Sequence, residues 1–267
     1  MSQIAAIGHL ALDLVAGEPP RPGGGVFYAA RAAARLEVDA HVAASCAPGD
    51  RDALVPPLEA FGLPVRWYPS SATTTYRFHY EGERRIMRQE AVGDPWTPDR
   101  ALDAVGGAAW VDVCALTRSD FPEETFAALA MDGRKLVVDA QGLVRTPALG
   151  PLRTDAAIGD VLRRVAILKL NDEEAETLVG SADPYTLRSL GVPEVVLTLG
   201  SQGSWVVTPE LVEHVPAVPV EEPVDPTGAG DTYSIAYLVS RMRGAEPVEA
   251  ARFAAETASA FLADDAQ

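Results

Sequence analysis

Short apolar runs recur along this chain, and stretches with helical spacing separate them. Runs at 4–7, 41–44, 110–114, 136–139, 167–170 and 195–199 predict buried strands. Between them, 29–36 is Ala-rich and entered from Gly23, Gly24 and Gly25, while 54–61 and 123–131 carry helical patterns. Two further helices, 229–243 and 248–262, close the chain. Strands alternating with helices predict an α/β fold built on a largely parallel sheet. One segment breaks the rhythm. Across 73–89, β-formers alternate around Glu81-Gly82, which predicts an antiparallel hairpin at a sheet edge or over a site. Ligands of such sheets bind beyond the carboxyl ends of the strands, so polar residues that follow strands carry the interest.

Composition narrows the class. The chain has 267 residues, 48% hydrophobic and 22% charged, enough for one large domain or two small ones, and a single domain over 1–267 is expected. No apolar run reaches about 18 residues, so no membrane span is expected. The first residues lack a basic segment followed by an apolar one, and the two cysteines, Cys46 and Cys114, form no CxxC pair. Free buried thiols and a cytoplasmic location are the expectation. A net charge of −16 argues against nucleic acid as partner. Lysine occurs only as Lys135 and Lys169, and no mechanism follows from that count.

The strongest chemical signal is Val224-Asp225-Pro226-Thr227-Gly228-Ala229-Gly230-Asp231-Thr232. Gly228, Ala229 and Gly230 leave the backbone bare where a helix starts. The first amides of a helix lack internal partners, and with the helix dipole they attract an anion. Asp231 sits in that first turn, where a carboxylate can take a proton from an attacking hydroxyl. Phosphoryl transfer needs this pairing of anion donors and an orienting base. Alone, the same residues also describe a capped helix after a Gly-rich turn.

This stretch resembles the C-terminal signature of the ribokinase-like (PfkB) family, usually written DTxGAGD, with Pro226 in the second position. The resemblance implies a three-layer α/β/α fold with a central, mainly parallel sheet and a small β lid. It implies Asp231 as catalytic base and the amides around Gly228, Ala229, Gly230 and Asp231 as the anion hole. Asn171-Asp172-Glu173-Glu174 is similar to the family's NxxE motif, in which Asn171 and Glu174 would organise Mg2+ and phosphates, Glu174 through water; the same residues also suit a helix N-cap. Thr198, Gly200 and Gly203, in a Gly-bearing turn after a strand, would contact ATP; a plain tight turn is the alternative. Asp13 follows the first strand, where the family holds substrate hydroxyls, and a carboxylate with two acceptor oxygens suits a diol.

Gly23 and Gly24 match the family's di-glycine signature, and Tyr28 stands where many members carry Asn, which speaks against a ribose-like substrate. Only nine residues separate Asp13 from Gly23, so the lid should be reduced, with 73–87 as its cover. Gly23 to Tyr28, Thr73 to Tyr76, Arg84-Arg85 and Val138 to Arg145 resemble the myo-inositol kinases of this family. That likeness implies a cyclic polyol read by Asp13, Gln141 and Arg145. For Arg84, Arg85 and Arg88, a solvated strand face and neutralisation of the transferred phosphate both remain open. Sugar or nucleoside kinases and a non-catalytic regulator are the alternatives. A dinucleotide-binding oxidoreductase lacks its fingerprint, since Gly8-His9-Leu10-Ala11 supplies no GxGxxG. Monomer and homodimer are both compatible with a reduced lid.

Overall fold

The computed structural model describes residues 3–81, 84–220 and 226–265. The chain opens with β1 (Ile4–His9), buried along its length, and steps through Leu10 into β2 (Ala11–Val15) and β3 (Arg21–Gly23). Helix α1 (Gly25–Arg35) leads to β4 (Ala40–Cys46), α2 (Arg51–Glu59) and β5 (Val65–Pro69). The expected hairpin follows as β6 (Thr74–Glu81) and β7 (Arg84–Ala91); Gly82 and Glu83 at its tip lie outside the described residues. Next come α3 (Pro98–Val105), β8 (Trp110–Cys114), α4 (Glu123–Leu129), β9 (Lys135–Asp139), α5 (Gln141–Val144) and β10 (Gly150–Pro151). Then β11 (Ile167–Asn171), α6 (Asp172–Val179), β12 (Glu194–Thr198), β13 (Ser204–Val207) and β14 (Val212–Val215) precede α7 (Ala229–Met242) and α8 (Pro247–Asp265).

Nine strands form one sheet in the order β14-β13-β12-β11-β9-β8-β1-β4-β5. From β12 to β5 every neighbouring pair is parallel, and β13 and β14 add an antiparallel edge. Alternation inside the buried strands creates two cores. In β1, Ile4 and Ala6 join the core under α1, α2, α7 and α8, while Ala5 and Ile7 join the core under α3, α4 and α6. β9 repeats the split, with Val137 on one side and Leu136 and Val138 on the other. A strand apolar on both faces needs cover on both, hence the three layers. Ala29, Ala30, Ala32 and Ala33 give α1 a thin buried face, which lets it lie close to the sheet and to α7.

The hairpin is part of a second sheet of five strands, ordered β10-β7-β6-β2-β3. Its partners are too short for the hydrophobic pattern to announce: β3 has three residues and β10 two. Because β2 leaves β1 after one residue, this sheet hangs from the carboxyl end of β1. Ala11, Tyr76 and Phe78 on its inner face pack with Leu116 in the loop after β8. Strand order in the large sheet reverses between β1 and β8: the chain builds outward through β4 and β5, then restarts at β8 in the other direction. Such a reversal opens a crevice at the carboxyl ends, and here the second sheet covers it.

Candidate active site

Helix α7 starts at Gly228, whose φ of +84° lies in the left-handed region. A Cβ there would also stand 2.3 Å from the Tyr28 ring, so conformation and contact both require glycine. Val224 and Asp225 of the signature lie outside the described residues. The Ala229 N–H donates to the Pro226 carbonyl at 3.1 Å and closes the turn. That bond occupies the Ala229 amide and leaves those of Gly228, Gly230 and Asp231 as the candidate anion donors. Farther along, Tyr237 Oη donates to Glu194 Oε1 at 2.5 Å, and Arg241 Nε donates to the same oxygen at 3.0 Å, tying α7 to β12. Tyr233 and Ser204 hydroxyls meet at 2.9 Å. Asp231 therefore stands on a helix fixed along its length.

The Asp231 carboxylate reaches the start of α1: a Cβ on Gly25 would lie 2.8 Å from its Oδ1 and 3.2 Å from Cys114 Cβ. Burial, then the charge of Asp139, pushes its carboxyl up to about 7, against the pull of Lys169 and Arg145. Lys169 Nζ donates to Asp139 Oδ2 at 2.6 Å, and a Cβ on Gly230 would come within 2.8 Å of the same Nζ. A buried ammonium thus stands beneath the anion turn. Burial alone would depress it, but Asp139 and Glu174 hold it charged, above the usual lysine value. Burial and Asp139 also lift Glu174 to about 7. Behind Asp231, burial and the Asp231 charge lift Asp112 on β8 to about 7, and Cys114 Sγ donates to Asp112 Oδ2 at 3.4 Å. Both cysteines are free and buried.

These shifts predict opposite pH responses of stability and rate. Asp112, Glu174 and Asp231 hold protons to about 7 in the folded protein but lose them near 4 when unfolded. The folded state binds more protons in that window, so stability is full below it and falls as pH rises through about 7. Carboxyls shifted the other way, such as Asp155, which Arg118 pulls to about 2, lose their contribution only below that window. A base titrating near 7 works only above it. Thermal midpoints are expected to be higher at about pH 5.5 than at about pH 7.5, while kcat/KM rises over the same range. A rate profile flat from about pH 6 to 8 would remove Asp231 as the titrating base.

Asn171 and Glu174 form a capping box at the start of α6. Asn171 Oδ1 accepts from the Glu174 N–H at 2.8 Å, and Glu174 Oε2 accepts from the Asn171 N–H at 2.9 Å. The N-cap alternative therefore holds. Among the described residues no group of three or more His, Cys, Asp or Glu is placed to hold a metal ion. The paired carboxylates Asp139 and Glu174 face the single buried Lys169, an excess of negative charge that suits a cation carried mostly by phosphates and water.

On the other side of the crevice, Asp13 lies on β2 and is 6% exposed, a strand residue and not a loop acid. Its Oδ2 packs on the backbone of Gly23, where a Cβ would stand 2.5 Å away. Gly24 has a φ of +95°, and a Cβ there would stand 2.5 Å from the His9 carbonyl. Both glycines thus provide close fit. Tyr28 lies on Gly228, on the anion-turn side of the cleft. Asp13 pairs in register with Tyr76, and Tyr76 with Gln89, so the three share one face of the second sheet. Arg145, just after α5, is half-buried, and its positive charge pulls against the burial that raises Tyr76, Asp231 and Glu174. Gln141 opens α5 and its N–H donates to Asp139 Oδ1 at 3.0 Å. Arg88 is exposed and pairs with Arg77 on the opposite face, which favours the solvated-face alternative. The side chains of Arg84 and Arg85 lie outside those described.

Next to Gly230 opens a cavity of about 530 Å³, lined by Thr198, Gly200, Gly203, Val218, Ala258 and Leu262 among others. Thr198 Oγ1 donates to the Leu170 carbonyl at 3.2 Å, and Gly203, at φ +90°, would put a Cβ 2.2 Å from the Val215 carbonyl. Read from the sequence alone, Lys169 and Asp112 had no role, and Asp139 and Tyr76 stood only as members of longer resembling segments. The signal of Lys169, Asp139 and Asp112 was position: polar residues on otherwise apolar strands.

The sequence profile of the pfkB family carbohydrate kinases matches residues 9–264. This chain belongs to that family. A ribokinase of Bacillus subtilis (strain 168) is 28% identical over 282 residues, covering 97% of this chain and 92% of its own. A nucleoside kinase of Methanothermobacter thermautotrophicus is 38% identical over 85 residues, 32% of this chain and 27% of that protein. A solved pyrophosphate-dependent kinase of the ribokinase family, complexed with a pyrophosphate analog and myo-inositol, superposes with a TM-score of 0.84 at 26% identity. It covers 97% of this chain and 94% of its own. As a pfkB kinase the chain is a phosphotransferase. No helix among the described residues is long and apolar enough to cross a membrane.

Proposed function

We propose that the chain transfers the terminal phosphoryl group of ATP to a hydroxyl of a small polyol, with myo-inositol as the leading acceptor. One observation carries this reading: Asp231 stands in the first turn of α7, beside the Gly228–Gly230 backbone, and its carboxylate and that of Asp13 both lie against the Gly23–Gly25 segment that opens α1. Asp13 and Gln141 hold acceptor hydroxyls, and Gly23, Gly24 and Tyr28 shape the space around them. Asp231 takes the hydroxyl proton as the acceptor oxygen bonds to the γ-phosphorus. The bond from that phosphorus to its bridging oxygen breaks, and ADP leaves with the electron pair. The amides of Gly228 and Gly230, with the α7 dipole, hold the equatorial oxygens. Magnesium, when bound with the donor, would lie near Glu174 through water and near Asn171, and would neutralise phosphate charge.

The cavity lined by Val218, Ala258 and Leu262 supports a nucleoside donor, because its apolar walls suit a base and its mouth at Gly230 suits phosphates. Pyrophosphate is the second donor reading, since the 26%-identical kinase is pyrophosphate-dependent. Within this reading residues 1–267 work as one catalytic unit, and free buried thiols suit the cytoplasm.

The test is a matrix of rates: ATP or pyrophosphate, each with magnesium, against myo-inositol, ribose, fructose and cytidine. Turnover is expected with ATP and myo-inositol, at least about tenfold above the other pairs, a difference of about 1.4 kcal/mol in the barrier. Turnover with pyrophosphate alone overturns the donor reading, and turnover on a sugar or nucleoside alone overturns the acceptor reading.

A further inference from the structure

We infer that His9 and Asp120 form a clamp at the junction of the two sheets, and that His9 is a positioning residue for the acceptor because the clamp sets where Asp13 stands. The inference rests on Asp13 being a carboxylate of the acceptor site, and not on the acceptor being myo-inositol.

His9 ends β1, and β2, which carries Asp13, begins two residues later at Ala11. The imidazole is fully buried and held from two sides. Its Nε2 lies 2.9 Å from the Asp94 carbonyl, which only accepts, so this nitrogen carries a hydrogen and donates it. Its Nδ1 stands 3.4 Å from Asp120 Oδ2, and neither side chain is exposed. The Asp120 carboxylate also gathers the loop after β8. Its Oδ2 accepts from the Leu116 and Thr117 N–H groups at 2.8 and 3.2 Å, and its Oδ1 from the Thr117 hydroxyl at 2.6 Å. Burial would raise the Asp120 carboxyl, but His9 and these bonds outweigh it and hold the group below its ordinary value.

The pair stands where the chain crosses between the sheets. His9 is itself at the first crossing, from β1 to β2. The crossings from β5 to β6 and from β7 to α3 meet at Asp94. Its N–H donates to Ser70 Oγ at 2.8 Å, its carboxylate accepts from the Ser71 N–H at 2.6 Å, and the Gly93 N–H donates to Thr74 Oγ1 at 3.1 Å. The Asp120 carbonyl accepts from the Trp96 N–H at 2.8 Å, and Leu116 packs with Ala11, Tyr76 and Phe78 of the second sheet. The paired glycines rest on the same segment: a Cβ on Gly24 would stand 2.5 Å from the His9 carbonyl, and one on Gly23 2.5 Å from Asp13 Oδ2. Parting His9 from Asp120 therefore lets the second sheet shift against the large one and carry Asp13 with it. Asn171, Glu174, Thr198 and Gly228 belong to the large sheet and its helices, so the donor side keeps its place.

Three variants load the clamp from different sides. His9→Gln puts an amide N–H in reach of the Asp94 carbonyl and removes the group that faces Asp120. Asp120→Asn removes the charge. Gly93→Ala presses on the ring, since its methyl would come within 2.5 Å of His9 Cδ2. Misplacing a positioning group by about 1 Å can cost about 10²-fold, so each variant is expected to raise the acceptor KM at least about tenfold and leave the donor KM within about twofold. The double variant His9→Gln/Asp120→Asn is expected to lose no more than about twofold beyond the worse single, as for two ends of one contact. The assays use whichever acceptor turns over fastest, so failure of the myo-inositol reading leaves them intact. Asp13→Ala in the same assay checks the site: an unchanged acceptor KM there overturns the acceptor-site reading and the clamp's role with it. With Asp13→Ala impaired, an unchanged acceptor KM in the clamp variants, an equal rise in the donor KM, or losses that multiply in the double variant would each overturn the clamp alone. If His9→Gln does not fold, Gly93→Ala decides by the same KM split.

Discussion

Asp231→Asn is expected to lower kcat by about 10²–10⁴-fold, the usual worth of a general base, while the fold stays intact. Asparagine has nearly the same shape and sits on a helix tied down at Tyr233, Tyr237 and Arg241, so the start of α7 has no reason to move. The substitution also removes a carboxyl whose charge burial already opposes. The thermal midpoint at neutral pH is therefore expected to stay level or rise, which separates lost chemistry from lost structure. Initial rates and a thermal melt on the same preparation are the check. Near-native turnover would show that the acceptor proton goes elsewhere.

Lys169→Met is expected to act in the opposite sense, mainly on stability. Lys169, Asp139 and Glu174 are 7%, 8% and 7% exposed, and the lysine is the buried cation between the two carboxylates. Removing one member of a buried charge group costs about 3–5 kcal/mol, because the remaining charges lose their compensation. For a chain of this size that lowers the thermal midpoint by roughly 10 °C. The loss should be smaller at about pH 5 than at about pH 7.5, since the stranded carboxyls can take up protons in acid. Adding Asp139→Asn should recover part of it. A fall of the same size at both pH values, unrelieved by the second change, would mean that lost packing of the lysine stem is the cause.

Both experiments bear on residues of unequal legibility. Asp231 could be read from the chain because its partners are its sequence neighbours: glycines, a helix start and an acid in the first turn fall within four residues. Asn171 and Glu174 were legible for the same reason, and the structure shows their capping bonds. Lys169 was legible only as one of two lysines, because Asp139 is thirty residues away in sequence and meets it through the pairing of β9 with β11. Asp13 was legible as an acid after the first strand but not as a strand residue, because β2 has five residues and takes its partner from β6, sixty-three positions later.

The sequence by itself determined the α/β class with a largely parallel sheet, the positions of its main strands along the chain, the glycine turn at Gly228 and the acid that follows it. These rest on local physics: apolar alternation, helix starts and glycine conformations act over a few residues. Tertiary structure alone decided the rest. It built the second sheet by adding β2, β3 and β10, too short to pattern themselves, to the hairpin, and it gave the Ala229 amide to Pro226. It brought Asp112, Asp139, Lys169, Glu174 and Asp231 into one electrostatic group, where burial rather than residue type sets which of them hold protons at neutral pH. Burial and long-range charge belong to the packed chain, and no window of sequence contains them.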